Sequence, residues 1–257
     1  MNILILSAST GGGHMRASKA IEGYMTQKNK DINVKIVDSL LYISPILNKT
    51  VTSGYVYLAT KTPRLYGKLY DLTNKDHKLA NFVTRLNNIF ANKLLPLIDD
   101  FKPDVIITTH PFPTEMVSRL KSKREINIPL ICIMTDYAPH KAWINKKVDA
   151  YIVANDDMVG KMINEGVDVN TIYPYGIPVD EVFFEEKEKQ LVIEELGLNK
   201  NLPTILMMAG SFGVSNVFEV YENIIDIDLD FQIILVTGRN QKLYNHFEKV
   251  IDDSPKK

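Results

Sequence analysis

Short apolar, β-branched runs alternate with longer amphipathic stretches along most of this 257-residue chain. Residues 2–7 (NILILS), 33–38 (NVKIVD), 104–109 (DVIITT), 129–134 (PLICIM), 150–154 (AYIVA), 203–208 (PTILMM) and 231–236 (FQIILV) read as strands, with a shorter one near 171–174. Helical spacing covers 14–27, much of 77–100, 113–124, 156–165, 188–196, 214–226 and 240–250. Continuous apolar strands separated by helices predict parallel sheets covered on both faces, an α/β fold. Residues 39–76, punctuated by Pro45, Gly54, Pro63 and Gly67, read as broken helices or a long loop.

The turn-rich segment Tyr175-Gly176-Ile177-Pro178-Val179-Asp180 is followed by a Glu/Lys-rich helical stretch. A strand, a glycine-containing loop and a helix then open at Pro203, echoing the opening at Asn2. Two successive Rossmann-like units, 1–180 and 181–257, are the simplest account. The second supplies only two strand–helix steps, fewer than a doubly wound unit needs, and is expected to be incomplete.

Composition narrows the function classes. With 45% apolar and 24% charged residues the chain can bury a core. A net charge of −1 excludes a bulk nucleic-acid binder. The single cysteine, Cys132, excludes a disulfide framework and a cysteine-cluster metal site, and its place in an apolar strand reads as inert core. No apolar run approaches the roughly 18 residues that span a bilayer. The first residues lack the basic region and the apolar length of a signal peptide, so a cytoplasmic protein is expected. The near-zero charge hides an asymmetry. Residues 1–180 carry 22 basic and 17 acidic side chains, a net of +5, whereas residues 181–257 carry 8 and 14, a net of −6. Residues 42–93 hold 8 basic and 2 acidic side chains interleaved with Tyr42, Tyr55, Tyr57, Tyr66, Tyr70, Phe82 and Phe90. That composition reads either as a membrane-interface surface or as a solvated helical hairpin with its aromatics in the core.

Ligands of open α/β sheets bind outside the carboxyl ends of the strands. After the first strand, Gly11, Gly12 and Gly13 let backbone approach a ligand closely, and the following helix N-terminus suits phosphate. The loop matches neither the P-loop nor the dinucleotide fingerprint. His14, directly after the glycines, is either a base for a hydroxyl proton or a capping or solvent-facing histidine. His110, after the third strand and before Pro111 and Pro113, is either a substrate contact or a helix cap. After the fourth strand, Asp136, His140 and Trp143 sit where a sugar or lipid head group would lie; the alternative is a helix cap beside a buried tryptophan. In the second half, Gly210, Ser211, Phe212 and Gly213 form a backbone phosphate cradle, and Thr237, Gly238, Arg239 and Asn240 face the same edge. Asp226-Ile227-Asp228-Leu229-Asp230 contains a D-x-D pattern, but it precedes a strand and reads as a solvated turn. His14, Asp136 and His140 lack metal-binding spacing.

The ordered segments NILILSASTGGGHMRASKAI, THPFP, TDYAPHKAWINKKVDAYIVAN, YGIPV and ILMMAGSFGVSN…IILVTGRN resemble the monogalactosyldiacylglycerol synthase and processive diacylglycerol glucosyltransferase family, GT-B enzymes of the MurG-like type. The resemblance implies inverting transfer of a hexose from UDP-glucose or UDP-galactose to diacylglycerol, without a cofactor or metal. It implies an N-terminal domain that takes the lipid acceptor at an anionic membrane surface and a C-terminal domain that binds the nucleotide sugar. His14 matches the family's general base, with Gly11, Gly12 and Gly13 as its loop. His140 and Trp143 match the acceptor-side loop, with His110 and Asp136 as further acceptor-binding candidates. Gly210, Ser211, Phe212, Gly213, Thr237, Gly238 and Asn240 match the start of the nucleotide-sugar half. The expected location is cytoplasmic, peripheral at the inner face of the membrane, with no nucleic-acid partner. The family continues past the TGRN region into a glycine-rich, Glu-containing donor segment. A truncated member with weak or absent donor binding is therefore expected. The alternatives are another MurG-like lipid glycosyltransferase, a UDP-sugar epimerase, or a non-catalytic membrane- or nucleotide-binding fragment.

Overall fold

β1 (Asn2–Ser7) is apolar at four successive positions and pairs in parallel with a strand on each side. Its neighbours are β2 (Asn33–Asp38) and β3 (Val105–Thr108). β4 (Leu130–Ile133), β5 (Ala150–Ile152) and β6 (Ile172–Tyr173) complete a six-stranded parallel sheet in the order β2-β1-β3-β4-β5-β6. The chain leaves β1 on one side to form β2 and returns on the other to form β3. The strand order therefore reverses at β1 and β3, and the crevice outside the carboxyl ends of such a pair is where open α/β sheets hold ligands.

The computed structural model describes residues 1–9, 12–44, 90–210, 217–251 and 254. These belong to two compact units, one within residues 1–184 and one within 185–257. Gln27 donates to the two carboxylate oxygens of Glu181 at 2.9 and 3.2 Å, which ties residues 181–184 to the first unit beyond the composition break at 180. Most of the basic, aromatic segment 42–93 lies outside the described residues. Among the described residues, no helix is long and apolar enough to cross a membrane.

Alternation along the strands builds the core of the first unit. Leu4, Leu6 and Ile106 pack on one face with Leu97 and Ile98 of α3 (Leu95–Phe101) and Met116, Val117 and Leu120 of α4 (Pro111–Ser122). Ile3, Ile5, Val105 and Ile107 pack on the other face with Ile21 of α1 (Gly13–Lys28). Coverage of both faces is why these strands read as continuous apolar runs. α4 starts two residues before its periodic pattern because Pro111 occupies the first turn, where a missing N–H costs nothing. α2 (Ser39–Ile43) has too few residues to show a period; it is set by Asp38, whose side chain accepts from the Leu41 N–H at 3.1 Å. α5 (Asp156–Asn164) follows β5.

In the second unit, β7 (Thr204–Met208) and β8 (Gln232–Val236) form a parallel pair. Around them lie α6 (Lys189–Glu195), α7 (Val217–Ile225) and α8 (Gln241–Val250). Met207, Ala209, Val217, Tyr221 and Phe247 make its core. The other face of β7 is uncovered, with Leu206 58% and Met208 65% exposed.

The two faces predict opposite responses to truncation. Leu4→Ala removes a fully buried side chain and should cost about 2–5 kcal/mol of unfolding free energy in a denaturant titration. Leu206→Ala should change it by no more than about 0.5 kcal/mol.

Candidate active site

The carboxyl ends of β1, β3 and β4 converge through side chains that lie far apart in sequence. His14 sits in the first turn of α1, immediately after Gly12 and Gly13. Its Nδ1 lies 2.8 Å from the carbonyl oxygen of Thr109 and 2.7 Å from Thr135 Oγ1. A carbonyl can only accept, so Nδ1 carries the hydrogen and Nε2 of the neutral ring holds the lone pair. The Thr109 hydroxyl lies 2.8 Å from Ser7 Oγ and 2.9 Å from Ser18 Oγ, and Ser18 donates to the His14 carbonyl at 3.1 Å. Ser39 donates to the Ser7 carbonyl at 2.6 Å. These hydroxyls are buried and mutually paired, so they lock the end of β1, the start of α1 and the end of β3 together.

His110 is the N-cap of α4. Its Nδ1 accepts from the Phe112 N–H at 3.1 Å, so its neutral ring carries hydrogen on Nε2, the opposite tautomer to His14. The two rings meet edge to face, with centroids 4.6 Å apart. His140 likewise caps the 3-10 turn Lys141–Trp143, its Nδ1 accepting from the Ala142 N–H at 3.1 Å.

Trp143 does not stand open to an acceptor. It is 1% exposed and packs with Cys132, Met134, Tyr151, Val153 and Met158. Its indole N–H donates to Asp136 Oδ2 at 2.7 Å, and its ring lies 6.2 Å from that of His14. Of the two readings open for this loop, the structure shows the cap beside a buried tryptophan: His140 and Trp143 are both buried, and the loop folds inward over apolar β4 and β5 side chains. The aromatic side chain this loop sends to solvent is Tyr137, 74% exposed. Tyr151 braces the loop from below: its hydroxyl accepts from the Asn145 N–H at 2.8 Å and donates to the Asn145 carbonyl at 3.0 Å.

Burial controls the electrostatics. Desolvation lowers the His14 pKa below 6.5, opposed by the Thr109 carbonyl and by the negative charge of Asp136. His110 is pushed well below 6.5 by burial and by its neighbour His14. Burial raises the Cys132 thiol to about 12, so it stays protonated and unreactive.

Gly13 has no positive φ, and a Cβ built on it would meet nothing within 4 Å. Neither backbone conformation nor packing among the described residues demands glycine there. Gly11 lies outside the described residues, as do Ser211, Phe212 and Gly213. In the second unit, Ala209 donates to the Val236 carbonyl at 2.8 Å, which brings the loops after β7 and β8 side by side. Gly210 and Gly238 hold φ of +70° and +62°, conformations that favour glycine. The Thr237 carbonyl accepts from the Asn240 N–H at 3.3 Å, and Asn240 caps α8 through its side chain. Asp226, Asp228 and Asp230 are exposed in the turn before β8, at the opposite end of the strands.

The sequence pattern of the monogalactosyldiacylglycerol (MGDG) synthase family matches residues 14–179. The chain belongs to this family. It is 32% identical over 248 residues to a processive diacylglycerol β-glucosyltransferase of Staphylococcus carnosus, covering 94% of this chain and 61% of that protein. The protein of the same name from Bacillus cereus is 32% identical over 259 residues, covering 98% of this chain and 64% of its own. The chain thus spans under two thirds of the length of these relatives. Among solved structures, Staphylococcus aureus MnaA, determined with UDP, aligns with a TM-score of 0.54 at 12% identity, covering 99% of this chain and 67% of its own. Acinetobacter baumannii MurG aligns with a TM-score of 0.51 at 12% identity, covering 99% and 65%. The fold of this family member is α/β of the GT-B class.

Thr109, Thr135 and Ser18 are members of the cluster that residue-type reading passed over. Their only sequence signal is a hydroxyl at the carboxyl end of an apolar strand or one turn into the helix beyond it.

The histidine pair makes stability depend on pH. Both rings resist protonation in the folded chain, so below pH about 6.5 the unfolded chain binds more protons. Stability is complete above that value and falls as pH drops. The thermal midpoint should decline between about pH 7.5 and about pH 5. His110→Asn, which keeps a capping oxygen, should flatten that decline relative to wild type. Identical slopes for the two proteins would contradict the assignment.

Proposed function

We propose that this MGDG synthase family member carries the acceptor side, and the beginning of the donor side, of an inverting glycosyltransferase that moves a hexose from a UDP-sugar to diacylglycerol. The acceptor unit is taken as 1–180 and the start of the nucleotide-sugar unit as 181–257. The observation that carries the reading is His14: a neutral histidine at the strand-order reversal whose Nδ1 hydrogen is committed to a backbone carbonyl.

In this reaction the acceptor hydroxyl oxygen bonds to the anomeric carbon as the bond from that carbon to the UDP oxygen breaks. The hydroxyl proton passes to His14 Nε2, and the pair of electrons leaves with UDP. A base whose pKa lies somewhat below neutrality is deprotonated and ready at physiological pH. The field of Asp136 then stabilises the imidazolium that forms. Glycine N–H groups in the loop after β7 supply positive potential for phosphate oxygens of the donor, so the reading assigns no metal. Asp136 and His140 shape the acceptor loop, and the basic segment 42–93 offers attraction to anionic lipid. UDP-glucose and UDP-galactose are both retained as donors.

A transfer assay on vesicles carrying diacylglycerol and an anionic phospholipid tests the proposal. It is run on the 257-residue chain and on a chimera that adds the carboxyl-terminal part of the Staphylococcus carnosus relative lying beyond the matched region. Hexosyl-diacylglycerol from either donor is expected. His14→Ala should reduce it about 10²–10⁴-fold while vesicle binding persists. No product from the chimera with either donor, or near wild-type transfer by His14→Ala, overturns the reading.

A further inference from the structure

Two oxygens from different strands converge on one nitrogen of His14. The Thr109 carbonyl, at the end of β3, lies 2.8 Å from Nδ1, and Thr135 Oγ1, after β4, lies 2.7 Å from it. If the Thr135 hydroxyl donated to a bare Nδ1, the Thr109 carbonyl would face that same lone pair at hydrogen-bond distance, an arrangement that repels. With the hydrogen on Nδ1, both oxygens accept from it in a shared bond. We infer that Thr135 is a positioning residue for His14: its hydroxyl oxygen and the Thr109 carbonyl clamp the Nδ1–H edge of the ring, so that Nε2 is the nitrogen presented to a substrate hydroxyl. The inference rests on the reading of His14 as base.

Two anchors do what one cannot. A single hydrogen bond lets the ring swing about it, whereas contacts on separate strands restrict rotation about the Cβ–Cγ bond. The clamp also persists through the reaction, because Nδ1 keeps its hydrogen when Nε2 takes a proton. The imidazolium then donates a charge-assisted bond to both oxygens, and these are stronger than neutral ones. Among the described residues, the other ionisable groups around the ring are His110, which opposes its protonation from the start of α4, and Asp136, which favours it from the loop after β4. The carbonyl of Thr109 cannot be removed by substitution, so Thr135 is the half of the clamp open to test. Its position, two residues before the exposed Tyr137, places it on the loop that the proposed acceptor would meet.

The test is nitrogen-15 and proton NMR of the histidine rings in the 257-residue chain, titrated as wild type, Thr135→Val and Thr135→Ser. Wild-type His14 should show the Nδ1–H tautomer and His110 the Nε2–H tautomer. Thr135→Val should weaken proton binding by His14 about three- to tenfold, and Thr135→Ser should restore it. His110 should keep its tautomer in all three, which also reports that the variants fold. An Nε2–H tautomer at His14 in wild type, or an unchanged His14 titration in Thr135→Val, overturns the clamp. In the transfer assay, Thr135→Val should lower kcat with little change in KM and move the acid limb of the pH profile to lower pH. If His14→Ala retains transfer while Thr135→Val still shifts the His14 titration, the base reading fails and the clamp stands. If His14→Ala abolishes transfer and the titration does not move, the clamp fails and the base reading stands.

Discussion

Every polar group of Thr109 is committed at the strand-order reversal. Its N–H donates to the Leu6 carbonyl at 3.2 Å and extends the β1–β3 pairing past its last register pair, Leu6 with Thr108. Its hydroxyl meets Ser7 and Ser18, and its carbonyl takes the Nδ1 hydrogen of His14. Parallel pairing in this register is what lets one residue do all three. A shift of one residue would turn Leu4 and Leu6 out of their core face and carry Thr109 away from α1. The apolar strands and the polar cluster are thus consequences of one alignment.

Burying histidines and hydroxyls at a sheet edge is costly unless each finds a partner. Among the described residues of the first unit, His14, His110 and His140 each bond backbone through Nδ1, and the backbone atom decides the tautomer. Where the partner is a carbonyl, as at His14, Nε2 holds the lone pair. Where it is an N–H, as at His110 and His140, Nε2 holds the hydrogen. Similar side chains therefore acquire opposite hydrogen-bonding character within a few ångströms. Low dielectric keeps His14 and His110 neutral, and the carboxylate of Asp136, held by the Trp143 indole, biases His14 toward accepting a proton.

The second unit repeats the logic with less support. Its loops after β7 and β8 lie side by side, with glycines in left-handed conformations where a side chain would be strained. A parallel pair with one face exposed departs from the rule that parallel sheets are covered on both sides, and Leu206 and Met208 mark that face. Titratable groups converge instead at the first unit's carboxyl edge, where His14, His110 and Asp136 meet.

Apolar, β-branched runs placed every described strand to within a residue or two; β1, β3 and β4, covered on both faces, are the clearest because their runs are unbroken. It also identified the edge loops, and glycine and histidine types marked His14 and His110 as notable. Five-residue α2 escaped because a single turn has no period; its determinant is one carboxylate, Asp38. For Trp143 the sequence left a ligand surface and a buried ring both open, and only the inward fold of the loop over β4 and β5 decides for burial. Thr135 and Ser18 carried no mark at all, since an isolated hydroxyl has no spacing signature. The amino-acid order determined the α/β alternation, the parallel sheets and the family. Tertiary structure alone decided which nitrogen of His14 carries hydrogen and which residues hold it, because those partners lie 95 and 121 positions away and meet only when β1, β3 and β4 align.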